Sequence, residues 1–343
     1  MRKLLNTLYI TTPKSYLSLD GENIVVLLED EEKFRLPFVN IENITCFGYM
    51  GASPALMGKC AENNVALNFL RPNGEFLARI AGKTKGSVYL RKNQYYYHDD
   101  KEKCLKISKD IVAAKLCNSK FTIDRTIRDN KEKIDVESLE NVSGNLKDAI
   151  KNIENFDDKD ELRGFEGGNA KQYFNVFDHM ILQQKEHFNF IERSKRPPLD
   201  NVNCMLSYIY AILSLEIASA LETVGLDPYV GFYHELRAGR ASLAVDLIEE
   251  FRSYMADRFV VSMINLKKIN HTDFTKKEGG GILMTDDGRK KILTAWQERK
   301  KEIISHPFID EKVEIGLLPY VQAQLLARHI RGDLEEYPPF LCK

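Results

Sequence analysis

"SVYLRKNQYYYHDDKEKCLKISKDIVAAKLCNSKFTIDRTIRD", residues 87–129, is where the chain changes character. Before it the sequence reads as strand and turn, and from it to the C-terminus helical periodicity dominates. The stretch itself is predicted to be helical, with an interruption near His98-Asp99. Upstream, "TLYI", "YLSLD", "NIVVLLED", "KFRLPFVN" and "NITCFG" are short runs rich in Val, Ile, Leu and aromatics. They are separated by "PKS", "DGE", "EDEE" and "NIE", which supply turn chemistry. "SPALMGKCAENN" (53–64) reads as a single helix with Ser53 at the N-cap and Pro54 in the first turn. Asn73-Gly74 marks a closing hairpin.

Downstream, the acidic, Asn-rich segment 118–160 is expected to hold one or two short helices and loops. Pro197-Pro198 should end a helix ahead of "CMLSYIYAILSLEIASALETV" (204–224), whose near-continuous apolarity predicts the most buried helix. "EGGGILMTDDGRKKIL" (278–293) predicts a loop or hairpin with a turn at Asp287-Gly288. The fold class is therefore α+β in two domains: a β-domain with one helix over 1–85, and an all-α domain over 86–343.

Composition agrees with that division. At 343 residues the chain is too long for one ordinary core. With 43% hydrophobic and 29% charged residues it should fold as a soluble globular protein. Cysteines 46, 60, 104, 117, 204 and 342 show no close pair, which argues against zinc and a disulfide framework and suits a reducing cytoplasm. The apolar runs read as short of a bilayer span, and "MRKLLNTLYITT" has no extended apolar region followed by a cleavage site. A cytoplasmic protein with no membrane partner is the expectation. The net charge of −1 hides segregation: 71–120 hold 12 basic against 5 acidic residues, 121–165 hold 8 against 12, and 251–304 hold 12 against 7. Such blocks can form basic faces that neutralise phosphates, or solvated helix faces.

Two stretches could carry chemistry. "RGFEGGNAKQYFNVFD" (163–178) sets Glu166 before two glycines and among aromatics, where a carboxylate needs a cation, a proton or a hydrogen-bond partner. Glu166 is either a helix-start acid or partner of Arg163, or it holds something. "GLDPYVGFYHELRAGRASLAVDLIEEFR" (225–252) breaks a helix at Gly225, Pro228 and Gly231, leaves His234 near a loop end, and starts a new helix capped by Ser242. Asp246 and Glu249, three apart, share a face of that helix, where acids in early turns also serve the macrodipole. Were Glu166, His234 and Glu249 to converge, two carboxylates and one imidazole would suit magnesium or manganese, the nitrogen leaning toward manganese. Other candidates are weaker. "GGG" at 279–281 lacks the Lys-Ser/Thr of a phosphate loop. Asp178-His179 reads as coincidence. The tyrosines 95–97 could stack on bases but cannot share one helix face.

"RGFEGGNAKQYF", "GFYHELRAGRASLAVDLIEEFR" and the tail "ARHIRGDLEEYPPF" resemble the CRISPR adaptation integrase family, which inserts new spacers into CRISPR arrays; the tail is similar to the type I-C branch. The likeness runs over nearly the whole chain. It implies a β-domain that helps form a homodimer and a helical domain carrying the active site. By motif position it makes Glu166, His234 and Glu249 the catalytic metal ligands for Mg2+ or Mn2+. It makes Asp246 an assisting acid and places Arg252 toward DNA. It also implies a small ferredoxin-like partner protein, two integrase dimers flanking one partner dimer. The DNA partners implied are the spacer donor and the CRISPR repeat. Strand transfer needs phosphates neutralised around the site, and Lys171, Arg237, Arg240 and Arg252 are tied in sequence to the ligands. The chain departs from the family's pattern at Asn169 (usually alanine), Ala241 (commonly proline) and Cys342 (in place of a tryptophan). Asn169 is expected to tighten its helix or contact a phosphate. Two other readings stay open: a structure-selective nuclease on branched DNA that uses water as nucleophile, and a non-catalytic DNA-binding scaffold whose triad is a structural ion pair.

Overall fold

In the computed structural model, residues 7–48, 50–80, 82 and 87–342 are described. The opening "MRKLLN" and the expected domain boundary at 85/86 lie outside them. The chain divides into two compact units, Met1–Lys85 with Asp286–Glu302, and Gly86–Thr285 with Ile303–Lys343.

The strand signals of the first unit become eight strands: β1 (Thr7–Ile10), β2 (Ser15–Asp20), β3 (Asn23–Leu28), β4 (Glu31–Pro37), β5 (Asn43–Phe47), β6 (Gly51–Ala52), β7 (Ala66–Leu70) and β8 (Phe76–Ile80). The helix α1 (Pro54–Asn63) sits between β6 and β7. One sheet runs β1-β5-β7-β8, parallel except for the β7–β8 hairpin, and the other runs β4-β3-β2-β6. Leu17, Ile24, Ile44, Leu56 and Leu67 form its core, each worth roughly 1.5–3 kcal/mol when fully buried. Ser53 caps α1 by accepting from the Leu56 N–H (3.2 Å), and Gly74 takes the hairpin's positive φ of 86°. Burial pushes the Cys46 and Cys60 thiols up to about 12, so both are packing residues.

The second unit is helical: α2 (Val88–Asp99), α3 (Lys101–Asn130), α4 (Val136–Asn152), α5 (Lys159–Asn175), α6 (Asn201–Val224), α7 (Ser242–Phe251) and α8 (Arg258–Asn265). The expected break near His98-Asp99 falls at Asp100, whose carboxylate accepts from the Glu102 and Lys103 N–H groups and starts α3. The helix expected before Pro197-Pro198 does not form: 181–200 is irregular, held by side chains such as Asp178, which accepts from Phe190 N (2.9 Å). A hairpin of β9 (Phe274–Lys276) and β10 (Ile282–Met284) turns through the 279–281 glycines. The next helix, α9 (Asp286–Lys300), starts where a turn at Asp287-Gly288 was expected, and it groups with the first unit. Its Gln297 amide donates to the Thr7 carbonyl of β1 (2.8 Å). A second hairpin, β11 (Ile303–Ser305) with β12 (Lys312–Glu314), and α10 (Leu318–Arg331) complete the helical unit. The hairpin expected within 278–293 is thus present as β9–β10, and β11–β12 is a further one that the helical reading of this unit did not anticipate.

By length and apolarity α6 is sufficient to cross a bilayer, contrary to the sequence reading, but 61% of its most apolar window is buried in the protein. It packs against α7 and α10 as a core helix. Against that core docks the C-terminal tail. The Glu250 carboxylate of α7 accepts from Tyr337 Oη (2.6 Å), Phe340 N (2.8 Å) and Gln322 Nε2 (3.1 Å). Asn118 of α3 donates to both the Glu250 and Phe340 carbonyls (2.7 Å each).

Burial raises Glu250 from 4.5 to about 7 despite those three donors. A raised carboxyl contributes stability that is fully present below its unfolded pKa and lost as pH rises through the folded one. The urea midpoint of the wild-type protein should therefore fall between pH 5 and pH 8. Glu250→Gln should shrink that pH difference by an amount on the order of 2 kcal/mol; an unchanged difference would contradict the assignment.

Candidate active site

The helix α7 is almost wholly buried, yet it carries three acids: Asp246, Glu249 and Glu250. Each is answered by a different part of the fold. Glu250 takes the tail. Asp246 takes a loop: its Oδ2 accepts from the Phe232 and Tyr233 N–H groups (2.6 and 3.0 Å), and its Oδ1 from the His234 N–H (2.8 Å). Oδ1 also faces His234 Nδ1 at 2.7 Å. Since an ionised carboxylate only accepts, Nδ1 carries the shared hydrogen, and Nε2 is the atom left for a ligand. The loop passes this close because residue 231 is glycine; a Cβ there would lie 2.6 Å from Asp246 Oδ2. Asp246 thus positions His234, and its lone pairs are spent on that loop.

Glu249 is answered by cations. Its Oε1 pairs with Arg252 (3.0 Å) and its Oε2 with Lys115 of α3 (2.6 Å). Burial alone would raise Glu249, but Arg252 and then Lys115 outweigh it and hold the carboxyl down at about 2. The same Lys115 ammonium also pairs with Glu166 Oε1. Burial pulls Lys115 down, and Glu249 and Glu166 more than offset this, so its pKa stands above the ordinary value. Glu166 lies in the middle of α5, not at a helix start, and Arg163 pairs with Asp160 and Glu235 instead. Its second oxygen accepts from Tyr233 Oη (3.1 Å), a hydroxyl that burial and then Glu166 push up, so that it remains a donor. The Tyr233 ring stands edge-on to that of His234, with centroids 4.9 Å apart.

The three residues singled out from the sequence are therefore gathered from α5, the 231–234 loop and α7. Their donor types suit a divalent cation, but their spacing does not form a metal site as it stands. Among the described residues no three His, Cys, Asp or Glu side chains could together hold an ion, and the cation between the carboxylates is Lys115.

The expected DNA-facing residues divide. Lys171 and Arg237 are exposed and Arg240 is half-buried; none of the three makes an ion pair among the described residues. Arg252 is instead committed to Glu249 and stacks over Tyr210 (5.0 Å), with Arg193 over the same ring (5.4 Å). It opens a π-helical turn, Arg252–Asp257, that interrupts the run from α7 into α8. Asn169 donates to the Phe165 carbonyl one turn back in α5 (2.9 Å). Ala241 occupies the α7 N-cap, and Ser242, expected there, donates instead to the Glu235 carbonyl (2.9 Å). A Cβ at Gly167 or Gly168 would meet nothing, so both glycines leave open surface beside Glu166. The tyrosines 95–97 separate: Tyr95 bonds Asp227 (3.0 Å), Tyr97 meets His329 edge-on, and Tyr96 is exposed beneath Lys92.

Lys115 and Tyr233 were not singled out in the sequence. The signal for Lys115 was its phase: Ile107, Ile111 and Asn118 line the buried stripe of α3, and Lys115 falls in the same stripe.

A family profile described as CRISPR associated protein Cas1 matches residues 8–298. A curated relative from Chlorobaculum tepidum, "CRISPR-associated endonuclease Cas1 1", is 46% identical over 343 residues, covering 100% of both chains. Among solved structures, a casposase bound to integration product gives a TM-score of 0.85 at 23% identity, covering 99% of this chain and 95% of that one. A Cas6-RT-Cas1–Cas2 complex gives 0.82 at 20% identity over 98% of this chain and 36% of that one. These structural likenesses bear on the fold.

Because Asp246 answers three buried backbone N–H groups, Asp246→Ala should cost more than about 3 kcal/mol in urea denaturation. A loss below about 1 kcal/mol would mean that the loop is held by other contacts.

Proposed function

Since the chain belongs to the CRISPR-associated Cas1 family, whose curated relatives are named endonucleases, we propose that it is a metal-dependent DNA integrase that inserts spacer DNA into a CRISPR array. A donor 3′ hydroxyl attacks a target phosphodiester. The new P–O bond forms to the donor oxygen, and the target's 3′ oxygen leaves and takes a proton. The observation that supports this reading is that Glu166 and Glu249 converge on one ammonium, that of Lys115, while Asp246 holds the His234 ring near Glu249 by Nδ1 and leaves Nε2 uncommitted. A magnesium or manganese ion held by these three would supply positive charge against the phosphodiester and the leaving oxygen. Tyr233 fixes the Glu166 carboxylate, and Asp246 fixes the His234 ring. Lys171, Arg237 and Arg240, cations without an ion-pair partner among the described residues, are suited to DNA phosphates. Arg252 serves the site by holding Glu249.

The partner reading is a homodimer of this chain working with a small second protein; a neighbour of the same fold is a Cas6-RT-Cas1–Cas2 complex, which supports a second protein in the assembly. Tyr16, Phe34 and Phe76, exposed on the β-rich unit, are available for pairing copies. The word "endonuclease" in the relatives' names favours a second reading, in which the same residues cut branched DNA with water as nucleophile. Joining of a 3′-hydroxyl donor to a target strand separates the two.

Glu166→Ala, His234→Ala and Glu249→Ala should each lower joining by about 100-fold or more while the purified proteins stay folded by circular dichroism. Full joining by His234→Ala would end the proposal. Arg237→Ala and Arg240→Ala should each flatten the log–log salt dependence of DNA binding by about one unit. Unchanged slopes would return both arginines to the free surface.

A further inference from the structure

We propose that Lys115 is the resident counter-cation of the Glu166–Glu249 pair, and that a divalent cation enters by exchange with its ammonium rather than by filling an empty site. This rests on the metal-dependent reading above.

The geometry is specific. Each carboxylate has one oxygen on a fixed partner, Glu166 on the Tyr233 hydroxyl and Glu249 on Arg252. The other oxygen of each, Glu166 Oε1 and Glu249 Oε2, is buried, accepts no well-aligned hydrogen bond among the described residues, and faces the Lys115 ammonium. Those are the lone pairs an ion between the two acids would use. The side chains are closed off from water, at 12% exposure for Lys115 and Glu166 and 3% for Glu249. Two ionised carboxylates this close repel strongly in so dry a place, and the lysine removes that repulsion.

Charge counting then sets the order of events. Glu166, Glu249, Lys115 and Arg252 sum to zero. A divalent cation added to this quartet leaves an excess of two positive charges unless a cation withdraws or an anion arrives. Arg252 cannot lose its charge and is stacked on Tyr210. Lys115 has a flexible four-carbon stem and no such anchor. A cavity of about 20 Å³ beside it, enough for about one water, has a mixed wall, with Leu116, Leu146 and Phe174 on its apolar side and Ser119, Asn169 and Asp257 on its polar side. On that polar side the displaced ammonium would meet the Asp257 carboxylate, whose oxygens also accept from Tyr173 and Tyr210.

The test uses full-length protein without DNA, with Mn2+ binding followed by electron paramagnetic resonance and unfolding by heat. Relative to wild type, Lys115→Met should bind Mn2+ at least about tenfold more tightly, because a nearby like charge is gone. Its melting temperature without metal should fall by about 5 °C or more, and saturating Mn2+ should restore most of the loss. Mn2+ binding by Lys115→Met that is no tighter than wild type overturns the proposal. Should Lys115→Met fail to fold, the double variant Lys115→Met/Glu249→Gln removes the unanswered charge; recovery of folding without metal supports the proposal, and no recovery overturns it. Absence of Mn2+ binding by every protein, wild type included, with joining intact in chelator, sinks the metal reading and the exchange together. Equal binding by wild type and Lys115→Met sinks the exchange alone.

Discussion

Three carboxylates buried on one ten-residue helix govern the architecture of the helical unit. An unanswered buried carboxylate costs several kcal/mol, so Asp246, Glu249 and Glu250 each oblige another segment to come to α7. Asp246 draws in the loop 231–234, Glu249 draws in α3 through Lys115, and Glu250 draws in the tail at 337–340. Apolar packing of α6 against α7 and α10 supplies the bulk of the burial. It is non-directional, and the acids supply the directions.

The same arrangement ties stability to chemistry. The loop that Asp246 organises presents His234, so one carboxylate both closes a gap in the fold and leaves Nε2 of the imidazole uncommitted. The ion pairs at Glu249 are costly to break because their partners would be left dry and unpaired, as Arg252 is held against both Glu249 and Tyr210. The π turn after α7 lets consecutive residues serve different ends: Arg252 reaches back to the site, while Asp257 accepts from Tyr173 (3.0 Å) and Tyr210 (2.5 Å).

Where sequence and structure disagree, tertiary context overrode a local signal. Ser242 had the side chain of an N-cap, but its hydroxyl was worth more bonded to the Glu235 carbonyl inside the fold. Asp287-Gly288 carried turn chemistry, yet acids also favour a helix N-terminus, and Asp286 with Asp287 opens α9. The twenty residues 181–200 bond to side chains such as Asp178 and Asn203, so no helix was needed ahead of Pro197.

By itself the sequence determined the division into a strand-rich and a helical part, the Ser53 cap, the Asn73-Gly74 hairpin and the break before α3, because these depend on neighbours in the chain. It also singled out Glu166, His234 and Glu249, through the resemblance of the motifs that hold them. What only the tertiary structure decided is what stands opposite each of them. Periodicity states which face of α3 is buried and so puts Lys115 inside; it carries no information on the charge awaiting it there. That two acids from α5 and α7 share one ammonium follows from how three helices pack, with about 50 residues separating Lys115 from Glu166 and more than 80 separating Glu166 from Glu249.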